Sequence, residues 1–486
     1  MRARQYSLLQ LVISACLLFF ASLTFAERPP LQLTLYDTIM LSLRFNPTVQ
    51  TEDVQRISDK MSLLVAQWGY QLQYQLTGTG TYNNAVANNI RSESNSQSIT
   101  PGMSLLTPLG TQLTLQSVNP ISHTAGAANN YNPSVVFSLT QPLLQGSTVA
   151  VVMAPLHLAE NQELLNRLTM ENTVIQTVTT AISQYASLVQ AQNSITAQEL
   201  SLKQSIATLN QEQAFVKTGR SAPADLVQFQ ASVASQQLSL EQQQVNLTQQ
   251  KQQLLITLGI DPTLPFTVTK QIKFTNETLP SLKESIRLGL KHNIAYQQAI
   301  INMKIAKINL LLGEDKQRWT LNLVASHVQG AGSGGPPNAG LPSLVNGRNY
   351  NNTVTLNLTV PLDNLTNQQV LVQAKVALNQ QRIALDAQKR LVINSVTSAY
   401  DTVINQKAQI TQAKIAMDLA QKTLDISQAK LKYGRSSPFE VSTLQSSLVS
   451  QQLSYINTIA AYYTNLATFD QIVGITLQRW KICVRY

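Results

Sequence analysis

Two different periodicities of apolar and polar residues divide the chain. Seven-residue spacing of apolar positions runs from Val174 to Val216 and again from Val396 to Leu431. A heptad sustained over this length predicts a coiled-coil helix. Elsewhere apolar side chains alternate with polar ones, which predicts strands with one apolar face. The alternating segments are Leu72–Tyr82, Val135–Leu139, Trp319–Val328 and Val354–Leu358.

Both kinds of segment occur twice in the same order, which predicts an internal structural repeat. A capping box opens each copy, Thr34 with Asp37 and Ser281 with Glu284. In such a box the hydroxyl accepts the backbone N–H of the acidic residue, and the acidic side chain accepts the backbone N–H of the cap residue. Each pair therefore marks a helix start. We therefore expect a signal peptide at residues 1–26, a first repeat at 27–275, a second repeat at 276–475 and a short tail at 476–486.

The closest internal match lies where each long heptad segment ends. Residues 217–240 and 432–455 are identical at twelve of twenty-four positions. Gly219 and Gly434 suit the left-handed residue that ends a helix, and Pro223 and Pro438 suit the first position of the next helix. Each repeat is therefore predicted to contain a helical hairpin.

The predicted helices are unusually long and unequal. A helix over residues 151–216 would be roughly 100 Å long at 1.5 Å per residue. The returning helix, at about 223–258, is much shorter. We expect a helix at about 47–68 to stack end to end with it and to make up most of the difference.

The amino-terminal segment carries the features of a secretory signal. Arg2 and Arg4 precede an apolar stretch that ends near Ala26. Cys16 resembles a lipoprotein processing site, but the residues after it are still apolar, which favours an unmodified leader. Cys483 would then be the only mature thiol, so no intrachain disulfide is expected.

Net charge does not indicate a nucleic-acid partner. The formal charge is +10 at pH 7, yet the basic residues are scattered singly through Gln-rich helices rather than gathered with aromatic residues. No stretch after residue 26 has the roughly 20 consecutive apolar residues of a membrane helix. A membrane location would therefore involve a β-barrel or the membrane surface.

The order of elements, the strands that end at Gln141-Pro142-Leu143 and Val360-Pro361-Leu362, and the Gly-x-Ser-x-Pro hairpins resemble the TolC family of outer-membrane efflux proteins. The resemblance implies an α+β membrane protein that is mostly α, with a long coiled-coil helical barrel and a transmembrane β-barrel. It also implies a homotrimer in the outer membrane, with four strands per subunit and twelve in the trimer. A periplasmic adaptor and an inner-membrane transporter would be its partners, and drugs, metals or proteins its cargo.

Residues 103–118 form an additional segment interrupted by Pro108-Leu109-Gly110. Because the flanking helices must lie on one side of the membrane, this segment is either an extracellular hairpin or two further crossings. Family precedent favours the extracellular hairpin, and that is our expectation.

The resemblance also implies functional positions at the hairpins. Glu440, and Asp225 in the other repeat, match an acidic position that selects cations at the periplasmic mouth. Thr443 occupies the place of a second acid, so any such ring is expected to be weak. Glu440 also fits an alternative role as a helix cap together with Ser437 and Pro438. The residues expected to contact the adaptor, or simply to turn the chain, are Lys217, Gly219, Arg220, Ser221, Lys432, Gly434, Arg435 and Ser436.

Nothing in the sequence indicates an enzyme. The four histidines, at positions 123, 157, 292 and 327, are far apart, and the mature chain has no Cys-His spacing typical of a metal site. We predict neither catalytic residues, nor a cofactor, nor a bound metal. The competing interpretation is a periplasmic coiled-coil adaptor or scaffold, which would share the leader and the helical hairpins but would lack two matched pairs of alternating strands.

Overall fold

The computed structural model describes residues 31–87, 90–124, 130–219, 222–268, 274, 277–330, 340–345 and 349–484. The predicted leader and Cys16 lie outside these residues. The helices are α1 (Leu35–Phe45), α2 (Pro47–Trp68), α3 (Val149–Val152), α4 (Ala154–Lys217), α5 (Pro223–Leu258), α6 (Leu282–His292), α7 (Ile294–Asp315), α8 (Pro342–Val345), α9 (Leu365–Lys432), α10 (Pro438–Val473) and α11 (Thr476–Trp480).

The part of the chain that the structure describes also contains nine strands. They are β1 (Leu31–Leu33), β2 (Gln73–Ala87), β3 (Ile90–Leu106), β4 (Gln112–Thr124), β5 (Asn130–Tyr131), β6 (Ser134–Pro142), β7 (Phe266–Val268), β8 (Thr320–Gly330) and β9 (Tyr350–Thr359). The four strands predicted from alternation correspond to β2, β6, β8 and β9.

Both predicted capping pairs lie at the helix starts where they were expected. Thr34 and Asp37 form a complete capping box at the start of α1. At the start of α6 the Ser281 hydroxyl accepts the backbone N–H of Glu284 at 3.3 Å. The helix starts were thus predicted correctly, because short polar side chains satisfy backbone donors that a helix leaves open in its first turn.

The two long helices are α4, with 64 residues, and α9, with 68. Their predicted heptad positions are buried at Val174, Ala181, Leu188 and Ile195 in α4 and at Val396, Val403 and Ile410 in α9. The predicted seams are therefore contact surfaces, because an apolar residue every seventh position stays on one face of the helix.

The junction between α1 and α2 lies against the end of α5. Asn46 donates from Nδ2 to the carbonyl of Thr257 at 2.6 Å, and its Oδ1 accepts the backbone N–H of Thr48 at 2.9 Å. Gly259, the left-handed cap of α5, lies so close to Phe45 and Pro47 that a Cβ atom there would be 2.0 Å from the Phe45 carbonyl oxygen. The end of α5 therefore contacts the junction at which α2 begins.

The main sheet is antiparallel and has the order β2-β3-β4-β6-β8-β9, with the short strand β5 paired to β4. The first repeat thus contributes four long strands and the second contributes two. The sheet thus has two more long strands than the four transmembrane strands expected per subunit. The two strands that were not predicted are β3 and β4.

Residues 103–118, for which an extracellular hairpin was expected, take part in the same sheet. These residues form the end of β3, a turn, and the start of β4, and the turn is packed where the strands meet the helices. Gln141 donates from Nε2 to the carbonyl of Leu109 at 3.2 Å. Gly110 has a positive φ of 81°, and a Cβ atom there would be 2.8 Å from the carbonyl oxygen of Gly146, just before α3. The segment is therefore a pair of sheet strands.

The chain divides into two compact units, each built from parts of both predicted repeats. Among the described residues, one contains the positions up to 50 together with 174–284 and 396–482, and the other contains 51–173, 285–395 and the positions from 483 on. In the first unit, β1 and β7 pair in parallel over a core formed by Leu33, Leu188, Leu254, Leu258 and Phe266. The second unit contains the main sheet.

A buried ion pair joins α2 to α4 in the second unit. Arg56 donates from Nη1 and Nη2 to the two carboxylate oxygens of Glu163, at 2.9 and 2.5 Å. Both residues are only 4% exposed. The hydrogen bonds from Arg56 lower the pKa of Glu163, so this pair holds its charge in the folded state.

A second buried carboxylate lies in the first unit, where α11 returns onto α10. Asp470 accepts from Nε of Arg479 at 2.9 Å, and Arg479 also donates from Nη1 to Glu277 at 2.6 Å. Burial raises the pKa of Asp470 to about 7, against the attraction of Arg479 and with the repulsion of Glu277.

Replacing Asp470 with asparagine is expected to remove a pH-dependent part of the stability. The unfolded aspartate loses its proton near its usual pKa of 3.8, whereas the folded one keeps it up to about 7. The contribution of Asp470 to wild-type stability therefore falls as pH rises from 3.8 to about 7, and it does not change further above that range. Thermal denaturation in detergent at pH 5 and pH 8 should show the wild type losing several degrees relative to Asp470→Asn. Parallel pH profiles would contradict this assignment.

Candidate functional site: the two-faced sheet and the hairpin tips

One face of the main sheet is apolar along rows that cross from strand to strand. Leu105, Leu113, Leu139, Ala325 and Val354 are consecutive partners from β3 to β9. Tyr74 and Leu76 on β2 extend this face and are 72% and 73% exposed. Apolar surface left open over several strands marks a face that another apolar medium or partner covers.

The opposite face carries hydroxyl and amide groups. One complete row across the six long strands consists of Gln73, Ser104, Thr114, Ser138, Ser326 and Thr353. Valine occurs on this face at a few positions, such as Val136 and Val324. Along the described strands of the main sheet, this face has no charged side chain. A sheet with one apolar and one neutral polar face is the pattern of a membrane β-barrel.

The second hairpin tip, residues 432–438, is held by serine hydroxyl groups. Ser437 is the N-cap of α10 and accepts the backbone N–H of Glu440 at 3.1 Å. Ser436 donates to the Glu440 carboxylate at 2.9 Å and lies 2.8 Å from the hydroxyl of Ser427 on α9. Gly434 has a φ of 69°, as predicted for the residue that ends α9.

Ser437 at the N-cap and Pro438 at the first helical position agree with the alternative role of this segment as a helix cap. The cap hydrogen bond uses the backbone N–H of Glu440, while its carboxylate accepts from Ser436. Glu440 is also exposed, so its carboxylate remains accessible to ions. Thr443 is exposed and donates to the carbonyl of Phe439 at 3.0 Å. The gating role stays a prediction.

The first hairpin tip, residues 217–223, differs in its capping. Gly219 has a φ of 68°, as predicted, and Lys217 ends α4. The N-cap of α5 is Ala222, which provides no side-chain hydrogen bond. Asp225 lies exposed in the first turn of α5, at the position that corresponds to Glu440. Arg220 and Ser221 lie outside the described residues.

Of the residues predicted at the tips, the structure brings Ser436 and Glu440 into direct contact. Lys432, Gly434 and Arg435 are exposed in the same turn. The contact of Ser427 with Ser436 was not predicted from the sequence. The Ser427 hydroxyl, nine residues before Ser436 and just before the helix ends, is the signal that could have revealed it.

The described residues provide neither a membrane helix nor a metal cluster. Among them, no helix is both long and apolar enough to cross a membrane. Nor do three or more His, Cys, Asp or Glu side chains come together there in a way that could hold a metal ion.

Long heptad helices joined to an antiparallel sheet with one apolar and one polar face are features of an outer-membrane channel. Residues 305–475 match the family model described as outer membrane efflux protein. The resemblance stated from the sequence is confirmed by this match. No curated protein matches the chain.

Solved structures of outer-membrane channels share the fold. The outer membrane protein VceC from Vibrio cholerae is 14% identical, with a TM-score of 0.67 over 90% of this chain and 96% of that one. The MtrE channel from Neisseria gonorrhoeae, in its open state, is 14% identical, with a TM-score of 0.67 over 91% and 89%. CusC, which changes conformation on folding and transmembrane channel formation, is 14% identical, with a TM-score of 0.68 over 90% of this chain and 92% of that one.

Proposed function

We propose that this protein is a subunit of a homotrimeric outer-membrane channel, the exit duct of a tripartite efflux pump or a type I secretion system. The observation that carries the proposal is the main sheet, which combines a continuous apolar face, a neutral polar face and two open edges. In lipid such edges cannot remain unpaired, because no water is available to satisfy their backbone donors and acceptors. Partner subunits therefore have to close the sheet.

The chain direction at the edges is compatible with closure by identical subunits. Strand β2 follows α2 and leads away from the helices, whereas β9 leads back toward α9. Pairing β9 of one subunit with β2 of the next would therefore be antiparallel, like every other pair in the main sheet. The same connections place all long helices on one side of the membrane, which in this proposal is the periplasm.

Partners and cargo follow from the family resemblance. A periplasmic adaptor would contact the two hairpin tips, and an inner-membrane transporter would select the substrate. A passive duct needs no substrate pocket, so drugs, metals and secreted proteins all remain compatible with the channel. The neutral polar face of the sheet supports passage of diverse polar cargo, since it offers hydrogen bonds without a fixed charge.

Fractionation and electrophoresis test the class of protein. We expect the protein in the outer-membrane fraction, where it should extract with detergent as a trimer whose mobility changes on heating. The purified trimer should form ion-conducting pores in planar bilayers. Recovery as a detergent-independent monomer from the periplasm would contradict the proposal and favour the adaptor or scaffold interpretation.

Replacing Glu440 with glutamine is expected to weaken cation binding at the pore mouth without preventing assembly. An exposed carboxylate contributes on the order of 1 kcal/mol to a monovalent cation about 4 Å away in water. We therefore expect about fivefold weaker cation block of single-channel currents. Ser437→Ala is the matched control, because it removes the cap hydrogen bond and keeps the charge. Equal currents in Glu440→Gln and wild type would leave Glu440 with only its capping role.

A further inference from the structure

We propose that β3 and β4 are two further membrane-spanning strands, so that three subunits close a barrel of 18 strands. This inference rests on the proposed trimeric channel and specifies its barrel. Three copies of a six-stranded sheet give 18, which is even, lies within the range of bacterial barrels and matches the size of porins that enclose an aqueous channel.

The length and pairing of the two strands support this assignment. A membrane strand needs about 9–11 residues, and β3 and β4 have 17 and 13. Residues 73–87 of β2 pair with β3 along their whole length, from Gln73 opposite Ser104 to Ala87 opposite Ile90. Strand β4 in turn pairs with both β3 and β6. The hairpin therefore lies between β2 and β6 and makes the sheet two strands wider.

The two faces of the sheet continue through the hairpin without exchanging sides. On the apolar face Met103 and Leu115 lie between Tyr74 on β2 and Phe137 on β6. On the polar face Ser104 and Thr114 lie between Gln73 and Ser138. A register shifted by one residue would place these side chains on the wrong faces. The hairpin thus matches the lipid-facing and lumen-facing pattern of its neighbours.

The turn between β3 and β4 fixes the direction of the hairpin. Residues 107–111 lie at the helix end of the sheet, where the side-chain hydroxyl of Thr111 donates to the side-chain oxygen of Gln141. The backbone N–H of Gly110 donates to the carbonyl of Thr107 at 2.9 Å and closes the turn. If the helices lie in the periplasm, this turn is periplasmic, and both strands cross the membrane.

Cysteine accessibility on intact cells tests the inference. Cys483 is exposed, so single cysteines are introduced in a Cys483→Ser background. Leu109→Cys marks the β3–β4 turn, where the native side chain is 61% exposed, and Val345→Cys marks the connection from β8 to β9, where it is 87% exposed. The probe is a polyethylene-glycol maleimide that is too large for porins.

We expect Val345→Cys to react on intact cells, and Leu109→Cys to react only after the outer membrane is permeabilised. Reaction of Leu109→Cys on intact cells at the rate of Val345→Cys would overturn the inference, because the hairpin would then be extracellular while the channel could still stand. Protection of Val345→Cys on intact cells would instead contradict the proposed channel itself.

Direct strand counting provides a measurement that needs no variant. Electron cryomicroscopy of the detergent-solubilised wild-type trimer is expected to show 18 strands in the barrel. A barrel of twelve strands, with residues 90–124 above it, would refute the inference. Both experiments therefore distinguish the size of the barrel from its existence.

Discussion

Gly259→Ala is expected to prevent or severely reduce assembly of the trimer. The new Cβ atom would be 2.0 Å from the carbonyl oxygen and 2.8 Å from the carbonyl carbon of Phe45. Both atoms belong to the backbone, and Asn46 is hydrogen-bonded to Thr257 across this junction. Moving either side of the contact would therefore cost considerable free energy. We expect a loss of about 4 kcal/mol or more in stability, which is exceptional for a single substitution.

Gly434→Ala is the matched control for this prediction. Gly434 has the same φ of 69° as Gly259, but no neighbouring atom lies within 4 Å of the position of its Cβ. Its cost should be limited to the left-handed conformation, about 1–2 kcal/mol. The yield of heat-modifiable trimer and the apparent melting temperature compare the two variants. Similar losses in both would mean that α1–α2 and α5 are not packed as closely as described.

Glu163→Ala is expected to have the second large effect, a loss of about 3–5 kcal/mol. The substitution leaves the guanidinium of Arg56 buried, with only Asp59 at 3.2 Å as a remaining carboxylate partner. Because the pKa of Glu163 is lowered in the folded state, its contribution is present above the usual glutamate pKa and is lost as pH falls through the folded value. Thermal denaturation at neutral pH measures the loss.

Two further variants separate the ion pair from general effects of substitution on α4. Glu160→Ala removes a carboxylate that is 46% exposed and pairs with His157 at the surface, so it should change stability by less than about 1 kcal/mol. The double variant Arg56→Met/Glu163→Leu should recover much of the loss, because an apolar pair leaves no buried charge. Equal effects of Glu160→Ala and Glu163→Ala would show that burial at Glu163 is not decisive.

The elements that were predicted correctly have apolar residues spaced so that all of them lie on one contact surface. Strands β8 and β9 alternate leucine or valine with polar residues, as at Leu321 and Leu323 or Leu356 and Leu358. In the long helices, the apolar residues recur every seven positions because only that spacing keeps them on the face that contacts the neighbouring helix. Hairpin turns were predicted because Gly219 and Gly434 adopt a left-handed conformation that other residues rarely take.

Strand β3 was missed because its outer part contains few apolar residues. From Ser92 to Ser98 it consists of serine, glutamate, asparagine and glutamine, a composition typical of loops. Pro101 is also unfavourable in a strand interior, since proline lacks a ladder donor. In the structure Pro101 still lies opposite Leu76 on β2, while the pairing with β4 is interrupted at Thr100 and Pro101. Backbone pairing with β2 thus holds a strand that side-chain alternation does not reveal.

The tips were predictable in position but not in their hydrogen bonds. The match between residues 217–240 and 432–455 locates both turns, yet it does not show that Ser427 and Ser436 meet across the second one. That contact depends on where α9 ends relative to the start of α10. A one-residue difference in helix end would rotate Ser427 by about 100° around the helix axis.

The hairpin of β3 and β4 leaves and returns to the sheet without changing the direction of any other strand. An insertion of residues 90–124 at a single point in an ancestral gene would therefore enlarge the barrel by two strands per subunit and leave every helix as it was. The circumference of the proposed barrel would then evolve independently of the hairpin tips at residues 217–223 and 432–438.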